Sequence, residues 1–442
     1  MRNISMAIKV QVGRTKLSDL HKVFGFKSDE EFERKRARLF PSGNMDNEVA
    51  ATSVFLASLS AIKEYREELL AGLQIDKIKN RKFDVHTYTE LKLRNNDRPD
   101  GLIVITSGKT APIIEWVGFV EAKVGTKNKL TLGQIKKYAS YAREIEIRNL
   151  ITISNRLAST PVQSPIKISQ KAFNLYHWSW VYLKVMGSRL IKTNQEKKLK
   201  MDSDQLFILN ELIRYFNTHK NMFHYEKMGN DWENSVKKIR PYSESQKVDK
   251  PLLENISKSY AQEEKDIALH LTEDSGLLVE LLVKKDRLTE IEKMLTAKKI
   301  VTSTFIIDKS RTNMFTVEVD FIRREISCKT IIKLKSGKAK KQSSDLIKLF
   351  DGPSATPDLI MIQAFYPRNR TNNKCISLSK LVDEKEQREH YSILDKSIGD
   401  TVNYFQISTK DSLGEKFQHE KHFVANLEIV ADKFLTQIMR NK

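Results

Sequence analysis

The chain has 442 residues, long enough for two or three domains that each bury a core. Lys and Arg number 76 against 56 Asp and Glu, a formal net charge of +20 that favours an anionic partner, nucleic acid first among them. Two cysteines, Cys328 and Cys375, support neither a disulfide framework nor a zinc site and fit a reducing cytoplasm; the N-terminus lacks an apolar signal region, and no 18-residue apolar run suggests a membrane span.

In chain order, residues 1–43 read as a small leader with one helix over Asp29 to Leu39, its acids preceding its bases as the helix dipole prefers. From Asn44 or Asp46, either of which can cap, a helix runs to about Leu70. Glu48, Thr52, Phe55, Leu59 and Ile62 lie along one stripe of it. Phe83 to Leu93 alternates as a first strand and ends in the polar turn RNNDR. Asp100 then opens a second strand to Ile105. Ser107-Gly108-Lys109-Thr110 ends like a phosphate-binding loop, but a strand follows it instead of a helix, so it reads as a hairpin turn. A third strand runs from Ile113 to Lys123.

Side chains alternate along a strand, so Glu121 and Lys123 share a face. If the second and third strands pair antiparallel through the turn at Thr106 to Pro112, Asp100 comes beside both. Two carboxylates and an ammonium make a magnesium site. Mg²⁺ takes oxygen ligands, usually one or two carboxylates with phosphate and water, and a neighbouring lysine can orient or deprotonate the attacking water.

Leu132 to Glu144 is the next helix, with Leu132, Ile135, Ala139 and Ala142 expected on the sheet, Lys136, Lys137 and Arg143 outside, and Gln134 and Tyr138 one turn apart on a neighbouring stripe. Before it, Thr126 to Thr131 is a polar loop whose two lysines could touch a backbone phosphate. Asn149 to Asn155 is a buried strand, expected in a parallel pair, Asn174 to Trp178 an edge strand, and Trp178 to Leu190 a helix.

The pattern Pro99-Asp100 … Glu121-Ala122-Lys123 resembles the PD-(D/E)xK nuclease superfamily. Gln134 and Tyr138 resemble the QxxxY extension of its recombination-nuclease subset. The block from about Asn44 to Leu190 is also similar to a bacterial group of nuclease-like proteins without a settled function, in which RPDGLI precedes a glutamate-x-lysine strand and a terminal TISN. The resemblance implies an α/β fold, a restriction-endonuclease-like αβββαβ core with a mixed central sheet. It also implies Mg²⁺ or Mn²⁺ held by Asp100, Glu121, the Ala122 carbonyl and, through a water, Glu48. Glu48 would be the extra first-helix glutamate of many family members; otherwise it is an acid complementing the helix dipole. Lys123 would position the attacking water, and Gln134 and Tyr138 would hold the lysine or the substrate strand; otherwise the latter two are boundary residues of a surface helix. The activity implied is phosphodiester hydrolysis leaving a 5′-phosphate, in DNA first, in a bacterial or phage setting of defence, repair or mobile-element processing.

The resulting division is leader 1–43, nuclease-like domain 44–190, lysine-rich linker 191–204, and a separate α+β C-terminal domain 205–442 for recognition or partner binding. In the last, Asp204 to Asn217 is amphipathic, Asn230 to Lys250 a polar loop, and Leu252 to Leu271 and Leu277 to Lys298 helical. Val301 to Ile307, Phe315 to Ile322 and Glu325 to Leu334 are strands, the last two turning at Arg323-Arg324. A basic loop with Lys335, Lys338, Lys340 and Lys341, solvated or phosphate-binding, precedes a helix at Ser344 to Phe350, a strand at Pro357 to Ala364 and a final helix at Val424 to Met439. His419 and His422 read as surface histidines; Phe365 and Tyr366 beside Arg368 and Arg370 could stack on unpaired bases. Two rival functions stay open, a catalytically quiet nucleic-acid-binding module and an interaction component of a larger complex docking through the C-terminal half; homo-oligomerisation is also open.

Overall fold

The structure is a computed structural model describing residues 9–36, 48–73, 75, 82–93, 98–125, 130–166, 168, 173–218, 226–239, 246–283, 286–350, 358–367, 374–388, 390–394 and 401–440. The cap residues Asn44 and Asp46, the RNNDR turn up to Asp97, Lys127, Lys129, Arg368 and Arg370 lie outside the described residues. The chain divides into two compact units, residues 1–224 and 225–442, both mixed α/β.

In the first unit, helix α1 (Glu48–Ala61) is buried at every position from Ala50 to Leu59. Thr52 and Ser58 donate to the carbonyls of Glu48 and Val54, at 2.7 and 2.8 Å, so small polar side chains enter the core satisfied. The single helix expected to about Leu70 is broken at Ile62, which adopts φ −104°, ψ 109° ahead of α2 (Lys63–Ala71). Buried Ile62 continues the apolar stripe through the break, so periodicity alone could not reveal it.

Strands β1 (Phe83–Thr89), β2 (Gly101–Ser107) and β3 (Ile113–Ala122) pair antiparallel in sequence order. The first ends at Thr89, short of the expected Leu93, because Glu90 turns to φ 51°. The next helix, α3 (Leu132–Glu144), is capped by Thr131. It leads to β4 (Asn149–Ser154), parallel to β3, and β5 (Asn174–Ser179), parallel to β4, giving the sheet order β1-β2-β3-β4-β5. On α3 the packing differs from expectation: Leu132 is exposed, while Tyr138 and Tyr141 join Ile135 and Ala142 in the interior. Aromatic rings reach the core from positions that simple periodicity assigns to the boundary.

Helix α4 (Trp180–Gln195) starts at Trp180, with Ser179 as its cap, and runs past Leu190 into the stretch read as a linker. Helix α5 (Ser203–Thr218) buries Leu209, Leu212 and Phe216 and packs on α4 and α1. A Cβ at Gly187 of α4 would stand 2.6 Å from Ile213 Cδ1, so this close approach depends on the glycine. The leader is also part of this core: Val10, Leu20, Val23, Phe24 and Phe32 are buried, with the Phe32 and Tyr88 ring centroids 4.4 Å apart and the rings tilted by 35°. It carries two short helices, Leu20–Val23 and Asp29–Glu33, where one helix from Asp29 to Leu39 was expected. Apolar side chains on both flanks thus carry the first unit beyond the expected 44–190 limits, to residue 224.

The second unit begins with α6 (Trp232–Ile239), where a polar loop was expected. Trp232, Val236 and Ile239, at helical spacing, are all buried. Helix α7 (Lys250–Ser275) ends at Gly276 in a left-handed conformation, and β6 (Val279–Leu282) follows, correcting the helix expected from Leu277. A short apolar run does not distinguish strand from helix by period. Then come α8 (Arg287–Lys298), β7 (Ile300–Ile307), β8 (Ser310–Asp320), β9 (Glu325–Ile332) and α9 (Ala339–Leu349). The remainder is β10 (Met361–Phe365), β11 (Cys375–Ser377), α10 (Leu378–Glu386), β12 (Tyr404–Ser412) and α11 (Glu420–Phe434), the last followed by a π-turn, Leu435–Met439. The strands form one antiparallel sheet in the order β11-β10-β12-β9-β8-β7-β6. Among the described residues no helix is long and apolar enough to cross a membrane.

Candidate metal centre at the end of the third strand

Register does most of the work of assembling the site. Gly101 lies opposite Val120, so Asp100, just before β2, falls beside Glu121 near the end of β3. Asp100 Oδ2 accepts the Ala122 amide at 2.7 Å, which fixes the carboxyl against the strand. Helix α1 crosses close above: a Cβ on Gly101 would meet Leu56 Cδ1 at 2.4 Å, so the glycine admits the helix that delivers Glu48. Lys123 follows β3 directly, its amide donating to the Ile153 carbonyl at 2.8 Å.

The four charged groups converge. Lys123 Nζ lies 2.6 Å from Glu121 Oε1, 2.8 Å from Glu48 Oε1 and 3.9 Å from Asp100 Oδ2, and donates to the Ala122 carbonyl at 2.8 Å. One carboxylate oxygen from each of Glu48, Asp100 and Glu121 falls within 4.8 Å of the others. From α3, Gln134 Nε2 donates to Glu121 Oε1 at 2.5 Å, and the Tyr138 hydroxyl donates to the Arg98 carbonyl at 3.2 Å, beside Pro99-Asp100. All the expected site residues therefore gather in one place, and Tyr138 is buried there, unlike the boundary residue of the alternative reading.

Two residues outside the expected set hold the backbone at the lysine and just after it. Trp180 Nε1, at the start of α4, donates to the Lys123 carbonyl at 3.0 Å, and Asn155 Oδ1 accepts the Gly125 amide at 2.9 Å. The sequence signal for Trp180 is slight: a buried indole needs an acceptor.

Burial dominates the electrostatics. It raises the Asp100 carboxyl from its ordinary 3.8 to about 8, with the Glu121 charge adding to the rise and the Ala122 amide and Lys123 opposing it. Burial also raises Glu121 despite Lys123. For Lys123, burial disfavours the ammonium, but Glu121, Glu48 and Asp100 outweigh it and hold the proton. Burial and the Glu121 charge keep the Tyr138 phenol protonated.

The donor set suits a hard divalent cation: three carboxylates and a backbone carbonyl, all oxygen. Glu121 Oε2 is buried without a hydrogen-bond partner, an orphan acceptor of the kind a cation satisfies. His419 and His422 are exposed, their rings 5.7 Å apart, and among the described residues they join no group of three metal-capable side chains.

Comparison of the chain with family models, curated proteins and solved structures found no match.

Proposed function

We propose that the first unit is a metal-dependent nuclease of the PD-(D/E)xK kind, hydrolysing phosphodiester bonds in nucleic acid, DNA first. The observation that carries this reading is the meeting of Glu48, Asp100 and Glu121 around the Lys123 ammonium. The element order α1, α2, β1, β2, β3, α3, β4 on a mixed sheet supports a restriction-endonuclease-like core, and the +20 charge supports an anionic substrate.

Asp100, Glu121, Glu48 and the Ala122 carbonyl would hold Mg²⁺ or Mn²⁺, which when bound supplies Lewis acidity at a phosphoryl oxygen. Lys123, kept protonated by the acids, is a donor that can orient a water and place positive charge beside a pentacovalent phosphate. Gln134 holds Glu121 by Oε1 and leaves Oε2 available. Tyr138 anchors the Arg98 carbonyl and with it the approach to Asp100. A cytoplasmic, bacterial or phage-related role in defence, repair or mobile-element processing belongs to the same proposal, with the second unit as recognition or docking domain. The acid–acid–lysine set speaks against the rival reading, a catalytically quiet nucleic-acid-binding module.

The test is to incubate purified protein with Mg²⁺ or Mn²⁺ and supercoiled, linear duplex and single-stranded DNA, and RNA, beside Asp100→Ala and Lys123→Ala. Cleavage that requires metal and disappears in both variants is expected. Binding without cleavage by wild type and variants alike would overturn the nuclease reading in favour of the binding module.

A further inference from the structure

A cavity of about 680 Å³ opens at the far end of the first unit's sheet from Asp100, a volume in the usual range for small-ligand sites. It arises from the pairing of β3. Strand β4 pairs with β3 only from Phe119 onward, and further back the leader takes the same edge. There the Gly13 amide donates to the Ile114 carbonyl at 2.7 Å, and the Ile114 amide to the Thr15 carbonyl at 3.0 Å. Between these two partners Glu115 has no register partner on β2, a bulge that brings the Glu115 and Trp116 side chains to one face. Both line the cavity, together with Asn174 and Tyr176 of β5, Arg14 of the leader, and Arg148 just before β4.

Trp116 is only 7% exposed, yet its indole N–H has no hydrogen-bond partner among the described residues. A buried indole N–H ordinarily has an acceptor. The ring lies over Gly118, where a Cβ would stand 2.4 Å from Cη2, so the glycine seats the indole against the strand. The Tyr176 hydroxyl and the guanidinium groups of Arg14 and Arg148 are likewise without partners among the described residues. The acids of the lining are engaged: Glu115 Oε1 accepts the Ser107 hydroxyl at 2.5 Å, and Glu146 pairs with Lys9 at 3.1 Å. Asn174 Nδ2 donates to Asn149 Oδ1 at 3.0 Å, which leaves Asn174 Oδ1 as an acceptor. The cavity therefore offers two unpaired cations, two aromatic rings with unpaired donors, and amide and carboxylate acceptors. A bare anion would use only the first of these, whereas a nucleoside phosphate uses all three.

We propose that this cavity binds a nucleoside phosphate, with the base against Trp116 and Tyr176 and the phosphate on Arg14 and Arg148. Asn174 Oδ1 and the Glu115 carboxylate then meet amino groups of the base or hydroxyls of the ribose. Stacking on aromatic rings accepts any base, and guanidinium–phosphate hydrogen bonds are charge-assisted and strong. The site uses none of the residues around Asp100 and does not rest on the nuclease reading.

The full chain, in chelator, is titrated calorimetrically with ATP, GTP, CTP and UTP, and with pyrophosphate and adenosine as the two halves of such a ligand. Saturable binding of at least one triphosphate is expected, at least about 10-fold tighter than pyrophosphate or adenosine and unchanged in Asp100→Ala. Arg14→Ala and Arg148→Ala alter exposed side chains outside the core, and each is expected to weaken binding about 10-fold. Trp116→Phe, checked for folding by circular dichroism, keeps a ring and removes the N–H; it should weaken binding and abolish the quenching of tryptophan emission by the bound nucleotide. Absence of binding by all four triphosphates, equal binding by wild type and the double arginine variant, or pyrophosphate bound as tightly as the triphosphates would overturn the site. Displacement of the nucleotide by an equimolar single-stranded oligonucleotide would also overturn it, in favour of a track for a polymeric substrate.

Discussion

Asp100 Oδ2 accepts the amide of Ala122 at 2.7 Å, tying the acid that precedes β2 to the last residue of β3. The same position buries the carboxyl next to Glu121 and raises it from 3.8 to about 8. Between those values the folded chain binds more protons at Asp100 than the unfolded chain does, so its contribution to stability is greatest at low pH and is lost as pH rises through the window. Asp100→Asn removes the titration at nearly constant shape. In chelator, the variant's stability relative to wild type is expected to improve steadily from about pH 5 to about pH 8.5 by urea denaturation. A difference that does not vary with pH would contradict the assignment.

Lys123 is the counter-charge of the cluster, with 14% of its side chain exposed. Lys123→Met keeps the length and leaves three acids facing one another. A loss of about 3 kcal/mol at neutral pH is expected, as for a half-removed buried pair. Added Mg²⁺ should recover part of that loss if the acids accept a cation, and acidification should recover part of it by protonating them. Chemical denaturation with and without Mg²⁺ measures both.

The legible part of the site was the part written in strand period and local spacing. Asp100, Glu121 and Lys123 follow from alternation across one hairpin, and Glu48 from its stripe on α1. Helix α3 was legible to its ends because Thr131 caps a clean amphipathic run. What failed to show depends on tertiary partners. Ile62 breaks the helix without breaking the apolar stripe, and the leader's Phe24 and Phe32 gain meaning only beside Phe119 and Tyr88. Trp232, in a polar stretch, is buried by Phe321, Phe417 and Phe423, which are distant in sequence. Trp180 meets Lys123 across 57 residues, and no local pattern carries that contact.

Gly101 sets how close α1 comes to the sheet. In Gly101→Ala the new Cβ meets Leu56 Cδ1 at 2.4 Å and the Tyr88 carbonyl at 3.2 Å. The leucine end can rotate, but the backbone oxygen cannot, so a cost of about 1–3 kcal/mol is expected. Leu56→Ala relieves one contact and not the other. A double-mutant cycle by urea denaturation should therefore show favourable coupling between the two substitutions that recovers part of the loss; strict additivity would show that the helix does not rest on Gly101.

Trp180 tests whether the backbone beside the lysine needs its tether. Phenylalanine retains a ring that can pack near Phe55 and Phe216 but removes the N–H that donates to the Lys123 carbonyl. Trp180→Phe is expected to cost about 1 kcal/mol of stability, the net worth of one buried hydrogen bond. Because Lys123 is thereby less firmly placed, the metal-dependent cleavage proposed for this site should fall by about 10-fold, equivalent to roughly 1.4 kcal/mol in the barrier, at unchanged affinity for the proposed DNA substrate. Paired cleavage and binding assays separate the possibilities. Equal losses in both would mean that Trp180 supports the fold as a whole, whereas a loss confined to cleavage would make it a positioning residue for Lys123.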